Sequence, residues 1–119
     1  MRHIVAALGL VILVTTATPA RADIESAGDL LSMCNERTGS VPNVFCLAYI
    51  VGIVDYNDTL SLSTAFPKMD TFCISKGLTT RQLQLIVTKF LNERPKNELN
   101  YAASSQVMLA LREAFPCTP

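Results

Sequence analysis

Four cysteines follow an N-terminal stretch that has the pattern of a cleavable secretory leader, and this combination constrains the fold more than any other feature. They are Cys34, Cys46, Cys73 and Cys117. An exported chain reaches an oxidising compartment, where an even number of cysteines in a short sequence is typical of a disulfide framework. Four cysteines can pair in three ways, and their number does not choose between them. The sequence therefore predicts a small domain cross-linked by two disulfides.

The leader is predicted from the order of residues at the N-terminus. Met1-Arg2-His3 supplies a positive start, residues 4–14 are apolar or glycine, and Ala20-Arg21-Ala22 places small residues where a signal peptidase cleaves. We therefore expect a signal peptide over residues 1–22 and one domain over residues 23–119. A retained membrane anchor is the alternative, but a bilayer core needs about 20 apolar residues, about twice the length of this run. After cleavage we expect no membrane association.

The charge balance of the mature chain argues against a nucleic-acid partner. Removing Arg2 and Arg21 leaves eight basic residues against ten acidic ones. The basic residues are scattered singly, so they form no positive surface that could displace counterions from phosphate groups. We therefore expect no binding of nucleic acid.

Few groups in the mature chain could carry catalysis. Once His3 is lost with the leader, no histidine remains for a Ser–His or Cys–His pair, and no Cys-x-x-Cys spacing favours zinc. The glycines are isolated, so no phosphate-binding loop is present. Asp55 could be a functional acid, but a single carboxylate without a basic partner more often marks a helix emerging into solvent. We predict no enzyme activity, no metal and no cofactor.

The spacing of apolar residues predicts an all-α fold, a small bundle of four helices. The first helix runs from about Ala27 to about Arg37 and begins at a Ser26 cap, while the third follows a capping box at Thr79. Proline ends the last two helices. The third and fourth helices cover residues 79–94 and 99–115.

The second helix is the most apolar part of the mature chain, and Gly52 is the only turn residue within its stretch Phe45–Leu62. Because it is apolar nearly all round, we expect a central, buried helix, with a pair of buried strands as the alternative. Gly52 lowers helix propensity by about 1 kcal/mol, so we expect it to let another helix approach closely. On that basis Gly52→Leu would cost roughly 1 to 3 kcal/mol by overpacking.

Helix order predicts how the cysteines pair. Short connections make neighbouring helices antiparallel. The link between the first two helices then lets Cys34 reach Cys46, and the Asn92–Asn97 turn brings the start of the third helix beside the end of the fourth. We therefore predict the bridges Cys34–Cys46 and Cys73–Cys117.

Residues 63–77 are the least regular part of the mature chain. They contain Pro67 and are fixed at one end by Cys73, so we interpret them as an exposed loop that is held in place, a kind of loop that often carries recognition. A simple connector is the alternative. Lys68, Met69 and Asp70 combine a flexible apolar side chain with two charges, and we predict that they contact a partner. Helix faces or the Arg94–Asn97 turn are the competing contact surfaces.

The order of several motifs, taken together, resembles a known family. The motifs are Cys46-Leu47-Ala48-Tyr49-Ile50-Val51-Gly52-Ile53-Val54-Asp55, Phe72-Cys73, Leu78-Thr79 with Gln82-Leu83, Phe90-Leu91 with Pro95, Ala110-Leu111 and Phe115-Pro116-Cys117. This combination, which spans essentially the whole mature chain, resembles the Rap/Tai family of type VI secretion immunity proteins.

The resemblance implies a small helical protein of the periplasm that binds and blocks a peptidoglycan amidase effector. It also implies that the protein can form homodimers. It assigns no residue an inhibitory contact, because contacts of this kind vary with the cognate toxin. A small, disulfide-bonded periplasmic stress chaperone is the alternative, although the charged fraction of 17% is low for a chaperone triggered by acid.

Overall fold

Four α-helices make up most of the part of the chain that the structure, a computed structural model, describes, namely residues 25–62 and 72–118. The predicted leader lies outside these ranges, as do Lys68, Met69 and Asp70. The helices are α1 (Ala27–Asn35), α2 (Val41–Leu62), α3 (Thr80–Asn92) and α4 (Ala103–Ala114), with a short 3₁₀ helix, Glu98–Asn100, before α4. The all-α prediction is confirmed, and the alternative of strands within the second segment is wrong.

Both predicted capping motifs are present. The backbone N–H of Asp29 donates to the Ser26 hydroxyl at 3.1 Å, which begins α1. At α3, the backbone N–H of Gln82 donates to Thr79 Oγ1 at 3.2 Å, and Thr79 N–H donates back to Gln82 Oε1 at 2.8 Å. These bonds satisfy amide groups that have no partner inside the helix, so they fix where each helix starts.

The core lies between the helices, and α1 contacts each of the other three as well as the 3₁₀ helix. Every helix contributes fully buried side chains to it. Those with no exposed surface are Ala27, Leu30, Cys46, Ile50, Val87, Leu91, Ala103, Val107 and Leu111. The shortest α-helix therefore packs against every other helix.

The prediction that α2 is a central, buried helix is wrong. Only four of its 22 residues are buried, and they lie on one side: Asn43, Cys46, Ile50 and Asn57. Its partners α1, α3 and α4 have 9, 13 and 12 residues, and together they cover this side alone.

Gly52 faces away from the other helices. A Cβ atom at this position would meet no atom within 4 Å. The expected close approach of another helix within the chain is therefore wrong, and so is the expected cost of Gly52→Leu by overpacking.

The two predicted disulfides are confirmed. Cys34 pairs with Cys46 at a Cα–Cα distance of 5.2 Å, and Cys73 pairs with Cys117 at 4.9 Å. The paired residues are 12 and 44 positions apart in the sequence. By loop entropy, closing these loops stabilises the fold by about 3 and about 4 kcal/mol. Both contributions are large for a domain of this size.

A buried asparagine ties α1, α2 and α3 together beside the first disulfide. Asn43 Nδ2 donates to the backbone carbonyls of Cys34 and Glu36, each at 3.1 Å. Gln84 Nε2 on α3 donates to the backbone carbonyl of Asn43 at 3.2 Å. Asn43 and Gln84 are both almost completely buried. The two bonds from Asn43 satisfy carbonyl groups at the end of α1 that no helical partner reaches.

The last helix begins later than the sequence predicts. Instead of continuing from Leu99, the chain is extended around Ala102 and pairs with the residues that precede α1. Ala27 N–H donates to the Tyr101 carbonyl at 2.9 Å, and Ala103 N–H donates to the Glu25 carbonyl at 2.8 Å. This pairing satisfies the first amide groups of two helices at once, which explains the later start of α4.

We predict that Asn43→Ala lowers the free energy of unfolding by about 2 kcal/mol, because it leaves the buried Cys34 carbonyl without its donor. Urea denaturation followed by circular dichroism measures this. Asn92→Ala, at an exposed position on α3, is the matched control and should change stability by less than about 0.5 kcal/mol. Equal effects of the two substitutions would contradict the role of Asn43.

Candidate partner-binding site

The side of α2 that faces away from the core exposes an apolar surface, which we call the α2 outer face. Its residues recur at intervals of three or four along the helix, so they lie on one side. They are Val41, Val44, Phe45, Ala48, Gly52 and Tyr56. Val41 is 85% exposed and Tyr56 is 56% exposed, which are high values for large apolar side chains. Contiguous exposed apolar residues of this kind are typical of protein interaction sites.

The shape of the α2 outer face suits close packing of another helix. Ala48 and Gly52 have little or no side chain, so the middle of the face is low. Phe45 and Tyr49 border it with their rings 6.3 Å apart, and Tyr56 lies towards the other end. Aromatic side chains bury a large area at a small entropic cost, so they are effective anchors in an interface.

Charge along α2 is distributed unevenly. No residue between Thr38 and Val54 is charged, whereas Asp55 and Asp58 are both exposed in the C-terminal half of the helix. The first turn of α2 carries no acidic residue, and its last turn carries no basic residue. A helix has a partial positive charge at its N-terminus and a partial negative charge at its C-terminus. Neither end of α2 therefore has the compensating charge within its own helix.

A second surface of interest is where the chain returns to the fold at Phe72. Asn57 Nδ2 donates to the Phe72 carbonyl at 3.0 Å, and Phe72 N–H donates to Asn57 Oδ1 at 3.3 Å. The next residue, Cys73, donates its N–H to the Phe115 carbonyl at 2.9 Å and is bonded to Cys117. Phe72 and Cys73 are therefore both bonded to the rest of the fold, and the predicted restraint at Cys73 is confirmed. The predicted contact residues Lys68, Met69 and Asp70 lie outside the described ranges, and their role stays a prediction.

The competing turn at Arg94–Asn97 is held by the contacts of Arg94. Its guanidinium lies 4.1 Å from the centre of the Phe90 ring, a cation–π contact. Its Nη1 is 3.8 Å from a carboxylate oxygen of Glu98. These contacts use the Arg94 side chain within the fold. The exposed residues of the turn are Pro95, Lys96 and Asn97.

A comparison with models of known protein families identifies the family to which the chain is related. The model of the Rap1a immunity proteins matches residues 26–117, which is most of the chain. The chain belongs to this family. A comparison with curated protein sequences finds no significant match. Family membership confirms the resemblance seen in the motifs and supports a role as an immunity protein that binds a cognate effector.

For an immunity protein, the relevant chemistry is contact with another protein. Within residues 25–62 and 72–118, no cluster of three or more histidine, cysteine or acidic side chains is arranged to hold a metal ion. Across the same ranges, none of the helices combines the length and the apolar character needed to cross a bilayer. The α2 outer face instead offers apolar and aromatic contact area.

The sequence prediction missed the α2 outer face, although a signal for it was present. A helix of 22 residues is about 33 Å long. Three shorter helices cannot surround a rod of that length. The uncharged run that ends at Val54, together with small residues at Ala48 and Gly52, could therefore have indicated a face without a partner in the chain.

We predict that the two sides of α2 respond very differently to truncation. Ile50→Ala should lower the free energy of unfolding by about 2 to 5 kcal/mol, because the side chain is fully buried. Val41→Ala should change it by less than about 0.5 kcal/mol, because Val41 is exposed. Chemical denaturation in dilute solution compares them. A loss of several kcal/mol in Val41→Ala would show that the outer face is covered within the chain.

Proposed function

We propose that this protein is a periplasmic immunity protein that binds and inhibits a peptidoglycan amidase effector of a type VI secretion system. The match to the Rap1a immunity proteins over residues 26–117 carries the proposal. Two disulfides suit an oxidising compartment such as the periplasm. Residues 1–22 are the proposed signal peptide, and residues 23–119 form the mature domain. Its action is stoichiometric binding without catalysis.

The effector contact is proposed for Lys68, Met69 and Asp70. An inhibitor that must neutralise an active enzyme needs slow dissociation, which a few well-placed anchors provide more readily than a large area. The bonds of Asn57 to Phe72 and the adjacent disulfide fix one flank of this segment. A fixed flank reduces the entropy that the segment loses on binding, which favours affinity.

The proposal predicts stoichiometric inhibition of an amidase by the mature protein. The experiment is a peptidoglycan hydrolysis assay with candidate amidases, first of all one encoded beside this gene. Replacing Lys68, Met69 and Asp70 by alanine together should weaken inhibition at least about 100-fold, since anchor residues commonly contribute 2 kcal/mol or more each. The matched control replaces Lys96 and Asn97 by alanine and should inhibit normally.

The outcomes of this assay separate the alternatives. Full inhibition by the triple variant would contradict the segment as the contact, and a loss in the control would place the contact at the α3–α4 turn. If the wild type inhibits no candidate amidase, the immunity proposal fails and the chaperone alternative gains support.

The α2 outer face is the surface that we propose for homodimer formation. In an antiparallel pair centred between Ala48 and Gly52, the low middle of each face allows the two backbones to approach. Asp55 and Asp58 of each helix then lie towards the N-terminus of the other, where negative charge is favourable. The same patch serves both copies, as a twofold interface requires.

Gly52→Leu tests the dimer without damage to the fold. The substitution meets open space within the chain, and it should stabilise the isolated protomer by up to about 1 kcal/mol through helix propensity. In the dimer it would separate the two helices. Light scattering coupled to size exclusion should therefore give a dimer mass for the wild type and a monomer mass for the variant.

Ser32→Leu is the matched control for the dimer, because it adds the same side chain at an exposed position on α1. It should remain dimeric. A monomeric wild type, or a dimeric Gly52→Leu, would contradict the outer face as the dimer interface. Neither result bears on amidase inhibition, which is measured separately.

A further inference from the structure

The two disulfides differ sharply in their access to solvent. Cys46 has no exposed surface and Cys34 is 7% exposed, so the bridge between them is part of the core. Cys73 and Cys117 are both exposed residues. Thiol–disulfide exchange requires a thiolate to reach a sulfur atom, so its rate depends on access. The bridges are therefore expected to differ in their rates of reduction.

The surroundings of the two bridges reinforce this difference. The Cys34–Cys46 bridge lies next to the buried side chain of Asn43, which holds the Cys34 carbonyl. An attacking thiol would have to open this junction first. The Cys73–Cys117 bridge lies outside the helices, where it joins two irregular segments, residues 72–78 and 115–118.

We propose that the Cys73–Cys117 bridge is a redox-sensitive strap, which a dithiol reductant opens while the Cys34–Cys46 bridge stays closed. A thiolate of the reductant attacks one sulfur of the strap, forms a mixed disulfide and releases the other sulfur as a thiolate, which takes up a proton. The second thiol of the reductant then displaces the remaining cysteine. Two electrons pass to the protein, which gains two thiols, and the reductant leaves as a disulfide.

Opening the strap leaves the four helices folded and loosens the two segments that it joins. The helices keep their core and their other bridge, and the bonds between Asn57 and Phe72 still hold the chain at Phe72. Residues 74–78 then lose the covalent restraint on one side. They keep the bond from Cys73 N–H to the Phe115 carbonyl, the packing of Ile74 and Leu78 against the core, and the Thr79 cap. This short segment contains Lys76, which is exposed. The strap therefore makes the resistance of this segment to proteolysis depend on redox state.

The order of reduction is tested on the full mature protein with dithiothreitol as the reductant. Samples are quenched with an alkylating agent, and mass spectrometry of peptides counts the labelled cysteines over time. Cys73 and Cys117 should be labelled at least about tenfold faster than Cys34 and Cys46, because only the first pair is accessible in the folded state. Equal rates, or faster labelling of Cys34 and Cys46, would overturn the proposal.

The consequence for the fold is tested with variants that lack one bridge each. Replacing Cys73 and Cys117 by alanine should preserve the helical circular dichroism spectrum and raise the rate of tryptic cleavage after Lys76 about tenfold over the oxidised wild type. Replacing Cys34 and Cys46 by alanine is the comparison: it leaves the strap closed, so the rate of tryptic cleavage after Lys76 should stay close to that of the oxidised wild type. Unchanged cleavage in the first variant, or loss of its helical signal, would overturn the strap. Both readouts are independent of amidase inhibition.

Discussion

The structure depends on fixing α1, a helix too short to be stable by itself. A helix of nine residues is below the length at which isolated helices persist in water. Its N-terminal end is fixed by the Ser26 cap and by the bond from Ala27 to the Tyr101 carbonyl. Its C-terminal end is fixed by the Cys34–Cys46 bridge and by Asn43. Since every other helix packs against α1, these restraints determine where the remaining core residues can meet.

The features that the sequence predicted are those decided by local chemistry or by short connections. The caps at Ser26 and Thr79 follow from residues three positions apart, and the pairing of Cys34 with Cys46 follows from the short link between two helices. The pairing of Cys73 with Cys117 needed one further step, the antiparallel placement of α3 and α4. Few other arrangements would bond these capping side chains or pair these cysteines, so the residues themselves indicate where the helices start and which cysteines are joined.

The features that the sequence did not predict depend on contacts between segments that are distant in the sequence. The apolar pattern of α2 does not show which of its residues the other helices cover. The exposed position of Gly52 depends on the lengths of those helices. The late start of α4 depends on the backbone bond from Ala103 to the Glu25 carbonyl, and these two residues are distant in the sequence. For the candidate site, the restraint at Cys73 was predicted from the disulfide. The second restraint, the bonds from Asn57 to Phe72, could not be predicted, because the sequence does not show which side of α2 faces Phe72.

The α2 outer face and the residue that holds Phe72 lie on different sides of α2. Asn57, which holds Phe72, is on the buried side of the helix, whereas Tyr56 and Gly52 are on the exposed side. A second copy bound to the outer face would therefore leave the anchor at Phe72 untouched. In the proposed dimer, the bonds between Asn57 and Phe72 would therefore stay intact in both copies.

The same separation explains why the chain can expose a large apolar surface without losing its fold. The groups that define the bundle, namely Asn43, Cys46, Ile50 and Asn57, all lie on the covered side of α2. The residues of the outer face make few contacts that the fold requires, so they can be chosen for a partner. Exposed apolar surface favours association in water whether or not the partner is the correct one. In the proposed dimer, the small residues Ala48 and Gly52 would favour surfaces that approach the helix backbone closely, so association there would be more selective than apolar contact alone.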